Sequence, residues 1–335
     1  MRSGIVERAA KDGLRRQLED RRERLSTFIA EEGPDADFVR LLRQVDSVLA
    51  RMDREDYGRC LVCNGDMRDT ELQENPMVEY CLCDLSADQQ RSLQKDLDLA
   101  RRIQAGLLPD PDVSTAGWEA SYRYEPAGVV SGDYCDLWVR QGEPGALYFA
   151  VGDVSGKGIA ASLLMAHLQS AFRSLVGAGI ALADVAARAN RQLLDASIPT
   201  HYATLAFGRA DQDGRLEIVN AGHCPPLVLR GATIERIGAT GFPVGLLQGK
   251  PYEVAAMQLE AGDTLVLYTD GLSEARAGSS EDYGEDRIER VLALLGDGRP
   301  PRGIIRGIRS DLDAFLSGAP RADDLTLLAV RRTLG

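Results

Sequence analysis

The spacing of apolar residues changes character near Pro109. Ahead of it, Phe38, Leu41, Val45, Val48 and Met52 recur at steps of 3, 4, 3 and 4, the seam of a helix that packs on a partner. Upstream, Leu14, Leu18, Leu25 and Phe28 fit that partner helix, with Arg21 interrupting the stripe. Between them the stretch EEGPDAD, residues 31–37, carries a Gly-Pro pair that breaks a helix. The pattern predicts an antiparallel helical hairpin over residues 1–56. A further helix is predicted from Ser86, which can cap it with Gln89 three residues on. Its positions Leu93, Leu97, Ala100, Gln104 and Leu107 step by 4, 3, 4 and 3 until Pro109 ends it. Residues 85–109 therefore read as a linker helix, whose narrow seam suits pairing between protomers or packing on the next domain.

Past Pro109 the texture becomes strand-like. Short runs rich in Val, Leu, Tyr and Ala alternate with Gly and Asp turns: WEASYRYE ending at Glu125, GALYFAVG (145–152), YATLAFG (202–208), RLEIVNAG (215–222), DTLVLYT (263–269) and LTLLAVRR (325–332). Helical segments fall near 158–177, 182–196, 284–296 and 301–317. Runs of strands with clustered helices predict an α+β domain over 110–335, with stacked antiparallel sheets, in place of an alternating parallel βαβ sheet.

Composition narrows the function classes. With 44% hydrophobic and 27% charged residues, the 335-residue chain reads as a soluble globular protein. No run approaches the roughly eighteen apolar residues of a membrane span, and no signal peptide is expected, so the expected setting is cytoplasmic. A net charge of −12 argues against a general nucleic-acid surface, and no membrane partner is expected.

Four of six cysteines, Cys60, Cys63, Cys81 and Cys83, fall within 24 residues. Such a cluster reads as a metal knuckle over 57–84, with reduced thiols in a metal-free fold as the plain alternative. Hairpin plus knuckle resembles the DksA/TraR family of transcription regulators, down to Tyr57-Gly58 before the first Cys pair. That resemblance implies one structural Zn²⁺. Where the family has Cys-x-x-Cys, this chain has Cys81-Leu82-Cys83-Asp84. Cys83 then binds in a shifted register, or Asp84 supplies the fourth ligand, or the site has decayed. The same resemblance opens an alternative function, an RNA-polymerase-binding regulator with an acidic hairpin tip (Glu31, Glu32, Asp35, Asp37) and the C-terminal domain as scaffold.

Carboxylates recur where the predicted strands end. Asp133 and Asp136 follow Gly132, Asp153 ends the run 147–152, Asp270-Gly271 follows strand 264–269, and Asp323-Asp324 precede strand 325–330. One Asp-Gly is a turn; four such ends on one domain suggest a shared, oxygen-rich site for hard cations such as Mg²⁺ or Mn²⁺. Order and flanking residues resemble the metal-dependent protein phosphatases, the protein phosphatase 2C superfamily, in its SpoIIE/RsbU-like branch. The resemblance rests on LARRIQAGLLP (99–109), SGDYCD (131–136), GDVSGKG (152–158), VNAGHCPP (219–226), VLYTDGLSEA (266–275) and DDLT (323–326).

That resemblance implies an α-β-β-α sandwich holding two Mn²⁺ or Mg²⁺ ions in a cleft at one end. It implies Asp153 as the carboxylate bridging both ions, the Val154 carbonyl beside it, Asp133 on one ion with Asp136 a weaker candidate, and Asp270 and Asp323 on the other. Asp324 is then structural. The implied reaction is hydrolysis of phosphoserine or phosphothreonine, by water whose pKa the ions lower from about 15.7 toward about 7. The implied substrate is a phosphorylated STAS-domain anti-sigma-factor antagonist, and a homodimer through the helical segments is expected. Many superfamily members carry histidine two residues after the bridging Asp; here it is Ser155. His223 reads as a structural turn histidine, His167 as core, and Lys157 as an exposed turn lysine that could attract phosphate. Cys135 and Cys224 read as small buried apolar groups, with no Cys-x5-Arg cradle around either.

Overall fold

The computed structural model describes residues 8–32, 36–54, 56–60, 66–67, 69–78, 87–115, 117–139, 146–196, 201–277 and 281–333. The first elements are helices α1 (Arg8–Glu32), α2 (Ala36–Asp53), α3 (Asp69–Glu74) and α4 (Ala87–Leu107). Two compact units emerge, with their boundary inside α4 between Asp96 and Leu97.

In the first unit α1 and α2 run antiparallel, since Arg15 pairs with Asp53 (2.5 Å) and Arg22 with Asp46 (2.6 Å). The heptad-like positions meet as expected: Leu14, Leu18 and Leu25 pack on Leu41, Val45, Val48 and Met52, and Phe28 lies 4.6 Å from Phe38. Arg21, the break in the stripe, is exposed. Beyond α2 the chain doubles back, the Met67 amide donating to the Gly58 carbonyl at 2.7 Å. Cys60 is thereby buried in the hairpin core with Tyr57, Met67 and Leu72. Cys63, Cys81, Cys83, Asp84 and the cap Ser86 lie outside the described residues, as does Asp35 at the hairpin tip.

The second unit opens with β1 (Asp112–Thr115), β2 (Trp118–Glu125), β3 (Asp133–Val139) and β4 (Leu147–Val154), then α5 (Ile159–Gly177) and α6 (Leu182–Ala196). It continues through β5 (Ala203–Ala210), β6 (Arg215–Ala221), β7 (Leu227–Arg230), β8 (Thr233–Arg236), β9 (Ala255–Gln258) and β10 (Thr264–Tyr268). It closes with α7 (Asp270–Ser273), α8 (Glu285–Leu295), α9 (Pro301–Leu316) and β11 (Leu325–Arg332). One sheet has the order β1-β2-β11-β10-β7-β8 and the other β3-β4-β5-β6-β9. Every paired strand is antiparallel.

Strand alternation sorts side chains into three layers of core. Leu137, Phe149, Val151 and Ala206 from one sheet meet Leu265, Leu267, Leu328 and Val330 from the other. The opposite face of the β3–β4–β5 sheet (Tyr134, Ala150, Phe207) receives Met165, Leu168 and Phe172 of α5 and Val185 and Leu193 of α6. The outer face of the second sheet (Leu227, Val266, Leu327) receives Ile288 of α8 and Ile304, Ile308 and Leu312 of α9. These layers are the expected α-β-β-α sandwich.

Four details differ from the sequence reading. The segment at Asp133 is a seven-residue strand, not a turn. The four-residue strands of the β7–β8 hairpin and β9 were too short to announce themselves. Helix α5 does meet the length and composition of a membrane span, at 19 residues and a mean hydropathy of 1.2. Here it packs on a sheet and carries Arg173 in an ion pair. His167 on that helix is exposed, because the buried stripe runs through Ala161, Met165, Leu168, Phe172 and Val176 and leaves it outside.

Candidate active site

The antiparallel ladders bring the motif carboxylates to one end of the sandwich. Asp133 is the first residue of β3 and pairs directly with Asp153, next to last in β4. In the facing sheet β10 ends at Tyr268 opposite Leu327 of β11. Asp270 follows that end and begins the one-turn helix α7, while Asp323 stands just before β11.

Two hydroxyls tie the sheets together here. Thr269 Oγ1 and Thr326 Oγ1 both donate to Asp133 Oδ2, at 3.0 and 2.5 Å. Asp133 is buried, and both bonds converge on one of its oxygens. The sequence assigned neither threonine a role, although Thr326 closes the DDLT motif.

Asp324 acts on the loop instead of the gap. Its two oxygens accept from the amides of Ala127 (2.7 Å) and Gly132 (3.1 Å), pinning the segment that leads into β3. Close backbone approach explains two glycines. A Cβ on Gly132 would lie 3.0 Å from the Val154 carbonyl oxygen and 3.4 Å from Asp153 Oδ1, filling the space in front of both. A Cβ on Gly271 would come within 1.8 Å of the Asp324 carbonyl.

Like charges in a desolvated gap hold protons tightly. Burial, then the neighbouring Asp153, raises the Asp133 carboxyl well above its usual range. Asp153 is pushed up to about 8, by burial first and then by Asp270, Asp323 and Asp324. Asp270 rises to about 6 through burial and Asp323. Lys157 opposes both of these last shifts. Its ammonium lies 3.1 Å from Asp323 Oδ2 and donates to the Ala322 carbonyl at 3.0 Å. It is thus a partnered lysine, not a plain turn residue.

Asp136 does not join this group. An odd step from Asp133 turns it to the helix-facing side of the sheet, where it is fully buried and held by Arg173 through two bonds of 2.8 and 2.7 Å. Ser155 ties the loop after β4 to the start of β5: its amide donates to the Tyr202 carbonyl and its Oγ accepts from the Tyr202 amide. His223 is buried, with Nδ1 2.9 Å from Thr204 Oγ1 and its amide on Asn220 Oδ1. Burial raises the Cys135 thiol far above its usual range and pushes Cys224 up to about 12.

The donors that share this end are hard oxygens, which suit Mg²⁺ or Mn²⁺, and the Gly132 hollow leaves the Asp153 carboxylate and Val154 carbonyl open. Their crowding of like charge, only partly offset by Lys157, is what a divalent cation would relieve. Among the described residues no three His, Cys, Asp or Glu side chains stand as a ready-made cage. The carboxylates share a gap without forming a coordination shell.

The family model described as Stage II sporulation protein E (SpoIIE) matches residues 143–333. The chain belongs to the SpoIIE family. The match takes in four of the five motif carboxylates of this end, Asp153, Asp270, Asp323 and Asp324, and Asp133 lies on the strand paired with β4. Phosphoserine phosphatase RsbU of Bacillus subtilis is 30% identical over 193 residues, covering 56% of this chain and 56% of RsbU. Protein IcfG of Synechocystis is 28% identical over 266 residues, 71% of this chain and 41% of IcfG. The chain therefore spans about half the length of these curated relatives. The SiaA-PP2C domain of Pseudomonas aeruginosa superposes with a TM-score of 0.63 at 19% identity, covering 73% of this chain and 99% of that domain, which shows that the two share a fold.

Proposed function

We propose that this SpoIIE-family chain is a divalent-metal-dependent phosphatase acting on phosphoserine or phosphothreonine of a bacterial regulatory protein. The observation that carries the reading is the meeting of Asp133, Asp153, Asp270 and Asp323, from four separate segments, at one end of the two sheets. In this reading Asp153, flanked by the others, would be the central ligand of a pair of Mn²⁺ or Mg²⁺ ions, and the Val154 carbonyl, Asp133, Asp270 and Asp323 would supply the remaining protein ligands. When bound, such a pair supplies an activated water and neutralises charge on the phosphoryl oxygens.

The remaining steps fall to the chain itself. Thr269 and Thr326 hold Asp133 through Oδ2, which restricts its side chain and leaves Oδ1 outside those two bonds. Asp324 fixes the loop into β3 and keeps the Gly132 hollow open. Ser155 Oγ accepts the Tyr202 amide and so ties the loop after β4 to β5, and burial keeps the Cys135 and Cys224 thiols protonated. The reading takes water as the attacking group. We further propose a phosphorylated STAS-domain anti-sigma-factor antagonist as substrate, a proposal supported by the kinship with RsbU.

The test is phosphate release from a phosphoserine-bearing protein of that class. Wild type should turn over with Mn²⁺ and stop with EDTA, and Asp153→Asn should lose at least about 100-fold in kcat. Turnover that survives both chelation and the substitution would refute the reading.

A further inference from the structure

Lys157 stands where cation and phosphate chemistry would compete. It lies between Gly156 (φ 98°) and Gly158 (φ 76°), both in left-handed backbone conformations that favour glycine. Its side chain is 54% exposed and that of Asp323 47%, so their pairing at 3.1 Å is a surface ion pair, cheap to break. Gly158 is also the N-cap of α5, which makes no side-chain cap hydrogen bond, so the lysine sits beside the positive end of that helix.

Two partners now claim one carboxylate. Building on the metal-dependent reading above, we propose that Lys157 is the counter-ion of Asp323 in the metal-free cleft and the phosphoryl-binding cation of the metal-loaded one. Once Asp323 is committed to a divalent ion, the ammonium meets a like charge and leaves. A long, glycine-flanked side chain can then turn to an anion arriving in the same cleft. A phosphoryl group is such an anion, with oxygens to accept its three N–H bonds. Lys157 would thus couple metal occupancy to substrate affinity, so that phosphate binds weakly unless the metal has released the lysine.

The consequence has two signs. Removing the ammonium should tighten metal binding, because a competitor for Asp323 is gone, and should weaken phosphate binding, because its anchor is gone. A lysine that merely decorates a turn would change neither.

The experiment is calorimetric titration of the full chain, first with Mn²⁺ alone and then with inorganic phosphate at saturating Mn²⁺. We expect Lys157→Gln to tighten the Mn²⁺ Kd about threefold, as loss of a surface ion pair allows, and to weaken the phosphate Kd about tenfold. Lys157→Arg should restore phosphate binding to within about threefold. If wild type binds both ions and Lys157→Gln changes neither Kd, the lysine has no such role and the metal-dependent reading stands. A wild type that binds no Mn²⁺ overturns both.

Discussion

Asp133 and Asp153 are direct cross-strand partners on β3 and β4, so two carboxylates project from one face of a sheet into the gap between sheets. Like charges placed directly opposite destabilise a ladder. The arrangement is a local loss of stability that positions oxygen donors, and it frames what the protein should do when its charge is changed.

Asp153→Asn removes one of the opposed charges without changing shape. With EDTA present the variant should be about 1–2 kcal/mol more stable than wild type in urea unfolding. In wild type the Asp153 pKa is raised to about 8, above its unfolded value. Its stabilising contribution is therefore complete below about pH 4 and is lost as pH rises through about 8. The melting temperature in EDTA should fall over that window, and less so in Asp153→Asn. A variant less stable than wild type across the range would contradict the charge argument.

Adjacent aspartates should separate cleanly. Asp324 holds the amides of Ala127 and Gly132, so Asp324→Ala should cost about 1–2 kcal/mol of folding stability. Among the described residues Asp323 accepts only the amide of Asp324 and the exposed Lys157 ammonium. Asp323→Asn should unfold like wild type in EDTA and lose most of the stabilisation Mn²⁺ confers. Urea curves for both, with and without Mn²⁺, decide the assignment.

The Asp136–Arg173 pair should behave as structure only. Asp136→Ala strips acceptors from Arg173, the Leu137 amide and Tyr134. Because Arg173 is about half exposed and can regain water, we expect a loss of about 2 kcal/mol, not the full cost of a buried charge. Calorimetry should find an unchanged Mn²⁺ Kd.

Acid sensitivity should trace in part to His223. Burial lowers its pKa to about 4 against about 6.5 when unfolded, with the Tyr268 backbone opposing. The unfolded chain binds the proton first, so stability is full above about 6.5 and falls as pH drops toward about 4. The carboxylates of the gap run the other way, so the informative quantity is wild type minus His223→Gln. That difference should shrink by about 3 kcal/mol between pH 7 and pH 4.

Much of this was legible in the chain. The 3-4 stepping of Phe38 to Met52 found the helical hairpin, and strand ends marked by Asp found the carboxylate end of the sandwich. Period alone could not sort Asp133 from Asp136, because the segment reads as a turn until its pairing with β4 is known; once it is a strand, parity separates them. Thr269 and Thr326 were invisible for a different reason. Their role depends on contact between sheets, 136 and 193 residues from Asp133 in sequence. Lys157 likewise gained its partner from a segment far along the chain. His167 misled because α5 is apolar almost all round, so its buried stripe cannot be read from composition.

The most direct test is anomalous diffraction from crystals of the full chain grown with Mn²⁺, collected at the manganese edge. We expect two peaks at the open end of the sheets, both within ligand distance of Asp153, one beside Asp133 and one beside Asp270 and Asp323. Full manganese occupancy elsewhere, or no peak at Asp153, would contradict the account.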